Sequence, residues 1–264
     1  MLIDLSVYSI ALIFIAAELA YGAWLINNPS SVLKTRGYLI IYNAFESCIT
    51  GIVLAAVLLT TPSFLEFFGI RTVSMSSAKS IFAWVRDRYV SYAVDLSKVA
   101  RDLTLTGILA PLATTWYAAS SLANIFSGYL IALTSSLLVA SRFCEIFGAP
   151  LMSLGIILTG ISKFRRLGPA LAISVASLQI LVGSVAPYFY ENASSLRFKY
   201  VGVPLSGIAQ YFAGAVEEVV ADAKGMGEFA AWISLTTAVA AALSAGCAAA
   251  AGGLPETLIS RLRL

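Results

Sequence analysis

The chain has 264 residues, of which 59% are hydrophobic and 12% are charged, and its mean hydropathy is +0.87. Soluble domains carry about a quarter charged residues, so the composition excludes that class and predicts a multi-pass protein of the cell membrane. A net charge of +3 does not predict nucleic-acid binding over the whole surface, and the lack of histidine excludes imidazole catalysis and histidine-bound metals.

The apolar runs predict an all-α membrane bundle that forms one transmembrane domain, 1–264, with about seven spans. The first two spans are predicted at about 2–26 and 38–61. The uncharged run 103–141 is too long for one crossing of a bilayer core about 30 Å thick, since a helix rises about 1.5 Å per residue. We therefore expect a turn near 119–121, between spans three and four.

A short hairpin is predicted at 148–190. Its first limb, 148–162, contains Pro150 and several glycines. This limb either re-enters the bilayer part way, as discontinuous transporter helices do, or is a short span packed tightly through its glycines. The second limb carries Gln179 in an apolar run. The turn between the limbs is basic, with Lys163, Arg165 and Arg166.

An acidic surface helix is predicted at 205–224, ended by Gly225 and Gly227. The last span, 229–252, is rich in small residues, which let helix backbones approach closely in lipid. Basic residues in short loops favour the cytoplasmic side, which places the N-terminus outside the cell. The charged segment 76–102 is then extracytoplasmic.

Two acids, Glu18 and Glu46, are predicted at equal depth, about 12 Å from the inner boundary, if spans one and two are antiparallel neighbours. A carboxylate at that depth is normally paired, protonated or turned toward a cavity. One hypothesis is a shared proton or a bound cation, with Gln179 at a similar depth. The alternative is that each acid bonds a polar group on a neighbouring helix.

The segment 76–102 reads as one amphipathic helix, capped by Ser76 or Ser77. Its large apolar side chains recur at helical spacing and form one stripe, which predicts burial on the membrane domain or on an identical neighbour. The stripe consists of Phe82, Val85, Tyr89, Tyr92, Leu96, Val99 and Leu103.

Basic side chains cover the other faces of this helix, interleaved with aromatic ones such as Trp84. Together they suit single-stranded DNA through charge and base stacking. Arg86 lies roughly 160° from Arg88 but within about 60° of Arg101, so Arg86 and Arg101 form the favoured pair. The candidates for a substrate path are Trp84, Arg86, Arg88, Lys98 and Arg101.

The alternative for this helix is a solvated surface whose charges pair locally, as Asp95 with Lys98 and Lys98 with Asp102. No phosphate-binding loop, HExxH or GxSxG motif occurs, so we expect no enzyme activity and no cofactor. The cysteines lie far apart in apolar runs and predict no metal site or disulfide.

The layout consists of an outside N-terminus, two spans, a central charged helix with Trp84, and further spans with a basic inner turn. It resembles the polytopic channel protein of type IV secretion systems and, in size and hydropathy, the CedA-type membrane protein of the crenarchaeal DNA-exchange system. The resemblance covers about 2–252. It implies an archaeal DNA-conducting channel of the plasma membrane, with small two-span subunits and a separate ATPase.

Two other functions fit the same residues. Glu18, Glu46, Gln179 and the limb 148–162 fit an ion-coupled transporter of small solutes. The small residues of the last span fit a membrane scaffold without a conducted substrate. A homo-oligomer in the lipid bilayer is compatible with all three.

Overall fold

The computed structural model of the chain describes residues 5–67, 69–105, 110–202 and 208–262. Every regular element in these ranges is a helix, which confirms the all-α prediction. The helices are α1 (Leu5–Ile26), α2 (Ser31–Phe67), α3 (Met75–Leu105), α4 (Ala110–Thr159), α5 (Leu167–Ser194) and α6 (Ile208–Leu262). Within the described ranges, five of them are long and apolar enough to cross a membrane, namely α1, α2, α4, α5 and α6.

The turn expected at 119–121 is wrong, because α4 continues through these residues as a single helix of 50 residues. The long uncharged run is accommodated by protein packing. A stripe along the first half of α4 is buried within the protein, where small and apolar side chains are as well accommodated as in lipid. Its buried members include Trp116, Ser120, Ala123, Ser127, Leu130 and Thr134.

Two further predicted breaks are absent. Helix α4 runs without interruption through Pro150 to Thr159, so this part of the limb 148–162 is regular helix. Helix α6 likewise passes through Gly225 and Gly227. Of the segment 205–224, expected as a separate acidic helix, 208–224 is the N-terminal part of α6, and 205–207 lie outside the described residues. A glycine costs a helix about 1 kcal/mol relative to alanine, too little to end one that packing supports.

The described helices fall into two compact units. Unit 1 comprises Met1–Arg71, Phe143–Leu181 and Val239–Leu264. In it α1 and α2 form an antiparallel hairpin whose backbones touch, because a Cβ on Gly37 would lie 2.7 Å from the Gly22 carbonyl oxygen. The core of the unit is formed by apolar residues of α1, α2, α4 and α5. Its buried members include Val7, Ala11, Leu54, Leu58, Met152, Ile156, Ala172 and Ala176.

Unit 2 comprises Thr72–Arg142 and Val182–Ala238, and α3 is its central helix. All seven residues of the predicted apolar stripe, Phe82 to Leu103, are buried in it, at 1% exposure or less. The helix cap differs from the prediction. Ser74 caps α3, since its hydroxyl accepts the Ser77 N–H at 3.2 Å, so neither Ser76 nor Ser77 does.

The start of α3 is held by a carbonyl of α5 that has no helical donor. Pro187 has no N–H, so the Gly183 carbonyl four residues earlier lacks its helical donor. The Val73 N–H donates to this carbonyl instead, at 3.1 Å. A Cβ at Gly183 would lie 2.8 Å from the Val73 carbonyl oxygen, so only glycine fits there.

Candidate functional site

The strap, which we define as residues 195–202, is the non-helical segment that follows α5 in unit 2. Its side chains alternate in exposure, as in any extended chain. Leu196 and Phe198 are buried, whereas Arg197 and Lys199 are exposed. The strap therefore covers the core with one face and presents two positive charges on the other.

Asp222 of α6 holds the middle of the strap. Its side chain is almost fully buried, at 6% exposure. One carboxylate oxygen accepts the Phe198 N–H at 2.9 Å, and the Arg197 N–H lies 3.0 and 3.2 Å from the two oxygens. A carboxylate thus replaces the backbone acceptors that this segment would have in a helix or sheet.

Three residues of α3 hold the two ends of the strap. Arg88 donates to the Leu196 carbonyl at 3.3 Å. Asp95 accepts the Tyr200 N–H, and Asp102 accepts the Tyr200 hydroxyl. This last hydrogen bond raises the pKa of Tyr200, so the phenol remains a donor at neutral pH.

Aromatic side chains anchor the strap to the core of unit 2. The Phe198 ring lies 6.1 Å from Tyr92 and 5.5 Å from Trp116, measured between ring centroids. Trp116 in turn donates its indole N–H to the Leu96 carbonyl at 3.0 Å. Burial raises the pKa of Tyr92, and the nearby Asp222 carboxylate adds to the rise, so both the packing and the charges favour a neutral phenol.

The four predicted basic residues of α3 differ in the groups that they contact. Arg86 pairs with Asp87 at 2.7 Å, and Arg101 with Asp102 at 3.6 Å. Arg88 and Lys98 instead lie beside the strap.

Lys98 pairs with Asp95 at 2.9 Å, as the local-pairing alternative expects. Its ammonium also lies 5.6 Å from the centre of the Tyr200 ring, within the range of a cation–π contact. Trp84, the aromatic candidate, packs against Tyr190 with ring centroids 4.9 Å apart.

These contacts assemble a basic surface from two distant parts of the sequence, α3 and the strap. Its acids, Asp95 and Asp102, are turned toward the strap backbone and the Tyr200 hydroxyl, which they hold. The sequence analysis missed the contribution of the strap. The alternation of basic and apolar residues at 196–199 was the available signal. We call this surface the strap surface and define it as Arg88, Lys98, Arg197 and Lys199.

In unit 1, both predicted acids contact the turn between α4 and α5. Glu18 accepts the Ser162 N–H at 3.1 Å. Glu46, at 4% exposure, forms an ion pair with Arg165, which also donates to the side-chain amide oxygen of Asn43 at 3.2 Å. These contacts match the alternative in which each acid bonds a polar group on a neighbouring element.

Gln179 does not join the two acids. It lies twelve residues into α5, about 18 Å along the helix, and its amide fills the space above Gly148 of α4. The acids instead meet residues 162 and 165, just before α5 begins. The acids meet this turn because it packs against α1 and α2 well before their connecting loop, with Gly160 against Ala11.

Among the described residues, no group of three or more metal-ligating side chains lies close enough to bind an ion. The long apolar helices and the helical core define the class as an α-helical membrane protein. No family profile, curated protein or solved structure matches this chain.

Proposed function

We propose that the protein is a multi-pass channel component of a DNA-transfer machine in the plasma membrane, similar to type IV secretion channels. The strap surface is the part that meets single-stranded DNA. The observation that carries the proposal is the convergence of Arg88, Lys98, Arg197 and Lys199 along one edge of α3, with their acidic neighbours engaged by the strap.

The proposed topology has five crossings, one for each of α1, α2, α4, α5 and α6. The continuity of α4 supports five rather than about seven. We keep the N-terminus outside, as the basic residues favour, so α3 and the strap, which follow two crossings, stay extracytoplasmic. Two segments are then cytoplasmic: the loop before α2, which Lys34 and Arg36 follow, and the basic turn 160–166. Basic residues in short loops favour that side of the membrane.

The chemistry of the strap surface suits a polyanion. Arginine and lysine side chains bind phosphates, and the Tyr200 ring beside Lys98 offers a face for a base. The strap is held through the N–H groups of Arg197, Phe198 and Tyr200, so the exposed side chains of Arg197 and Lys199 need not break these contacts to bind DNA.

The proposed partners are further copies of this chain or small two-span membrane subunits. In support, α6 is largely exposed between Trp232 and Cys247, and it is rich in the small residues that pack helices together. The motor is a separate ATPase, because this sequence has no phosphate-binding loop.

We expect the double substitution Arg197→Gln and Lys199→Gln to weaken binding of single-stranded DNA and flatten its salt dependence. Each phosphate contact on a single strand contributes about 0.7 to the slope of log K against log salt, so losing two lowers the slope by about 1.4. The measurement is fluorescence anisotropy of labelled oligonucleotide with protein in nanodiscs.

The matched control is Arg86→Gln with Arg101→Gln, which removes the same charge from α3 and leaves the strap unchanged. A larger loss of slope in this control would move the DNA path to the Arg86 and Arg101 side. Unchanged binding in both variants would contradict a DNA path along α3.

A further inference from the structure

In both α5 and α6, a long uncharged stretch borders a charged stretch at a defined position. Residues 167–190 carry no charge, and Glu191 is the first charge after them. In α6, Glu228 is the last charge before an uncharged run, 229–255. Runs of this length match the hydrocarbon core of a bilayer, so each changeover marks a candidate membrane boundary.

The structure brings these two boundaries together, although they are far apart in sequence. The rings of Phe189 and Phe229 lie perpendicular, with centroids 4.9 Å apart. Tyr188 and Trp232 are 5.1 Å apart. Two independent sequence boundaries therefore coincide at one level of unit 2.

Exposed aromatic side chains with polar tips lie at this same level. Tyr188, Tyr190 and Trp232 are 40–49% exposed, and Trp84 of α3, at 42% exposure, packs against Tyr190. Tyr129 of α4 is 43% exposed and bonds Ser234 of α6 at 2.6 Å. We call these five residues the aromatic girdle.

We propose that the aromatic girdle lies in the lipid headgroup layer and marks where unit 2 leaves the bilayer. Tyrosine and tryptophan concentrate at membrane interfaces because their rings favour the acyl region and their polar tips favour water. Three observations agree on this level: two sequence boundaries, their contact in space, and a cluster of exposed aromatic rings drawn from four helices.

The proposal fixes how α3 is placed. Its start is held at Gly183, seven residues before Tyr190 and about 10 Å deeper along α5. The first turns of α3 therefore lie in the outer part of the acyl region. The helix leaves the bilayer at Trp84, so it projects outward instead of lying along the membrane surface.

The girdle also divides α6, the longest helix. The part of α6 before Phe229 stands in water. This assigns the first four acidic residues of α6, Glu217, Glu218, Asp222 and Glu228, to the aqueous side without breaking the helix. It places the whole of the strap beyond the headgroups.

The four tryptophans of the chain make this proposal testable. Trp84 and Trp232 belong to the girdle, Trp116 is fully buried, and Trp24 is on α1. Replacing Trp24 and one girdle tryptophan by phenylalanine leaves a protein whose only tryptophans are Trp116 and the other girdle tryptophan. A protein with Trp116 alone supplies the background, and Trp116 is kept throughout because its indole hydrogen bond belongs to the core.

The proteins are reconstituted in vesicles of lipids brominated near the headgroup end or near the middle of the acyl chains. We expect the fluorescence added by Trp84 or Trp232 to be lost most with the shallow bromines, and that of Trp116 to persist with both. Iodide in the water should quench Trp84 and Trp232 only weakly.

Strong quenching by iodide without quenching by either lipid would place the girdle in water. A greater loss of Trp84 or Trp232 fluorescence with the deep bromines than with the shallow ones would place unit 2 within the bilayer. Protection from all three quenchers would mean that another protein covers the girdle. Each of these results overturns the proposal, whether or not the strap surface binds DNA.

Discussion

Replacing Arg165 with glutamine is expected to lower the free energy of unfolding by about 3–5 kcal/mol, the usual cost of leaving one charge of a buried ion pair without its partner. Glu46 is 4% exposed, so water cannot compensate the loss. The effect is measured by thermal or denaturant unfolding in detergent micelles.

The matched control is Lys163→Gln, which removes one positive charge from an exposed side chain of the same turn. It should leave the unfolding free energy nearly unchanged. Replacing both Glu46 and Arg165 by methionine removes the pair together and should restore much of the stability. Equal stability of the Arg165 and Lys163 variants would contradict a structural role for the pair.

Replacing Asp222 with alanine is expected to release the strap. The Phe198 and Arg197 N–H groups lose their acceptor, at a cost of about 1–3 kcal/mol for each one that stays buried and unsatisfied. Because Phe198 packs on Trp116, the fluorescence of Trp116 should report the change.

Trypsin gives a second readout, since the strap carries two of its cleavage sites, Arg197 and Lys199. We expect faster cleavage there in Asp222→Ala protein. The control is Glu217→Ala, which removes an exposed acid from the same helix. Equal cleavage rates in the two variants would mean that Asp222 does not hold the strap.

The packing face of α3 was predictable because helical periodicity is a local property of the sequence. Each of its large apolar residues from Phe82 to Leu103 is buried where the spacing placed it. The ion pair of Asp95 with Lys98 was predictable for the same reason, since residues three apart are neighbours on any helix.

What failed was inference from hydropathy about where helices stop. The sequence of α4 does not show whether an apolar residue such as Ala123 contacts lipid or another helix. A helix continues in either environment, so a long apolar run does not show where the helix ends. The contact of Asp222 with the strap was also unpredictable, because it depends on how α5 and α6 pack. Its only local signal was a single acid one turn after Glu218.

The basic turn illustrates a third limit. The positive-inside rule identifies Arg165 as a loop residue, and it does lie between α4 and α5. The rule assumes that the loop ends in water. Here Glu46 and Asn43 receive the guanidinium within the packed unit, which only the tertiary structure reveals.

The most direct test of the proposed function is photo-crosslinking in the native membrane during DNA transfer. A benzophenone amino acid is placed at Lys199 of the strap, or at Glu217 of α6 as an exposed control. We predict a DNA adduct at position 199 and none at position 217. Adducts at 217 alone, or at neither position while DNA is being transferred, would contradict the account.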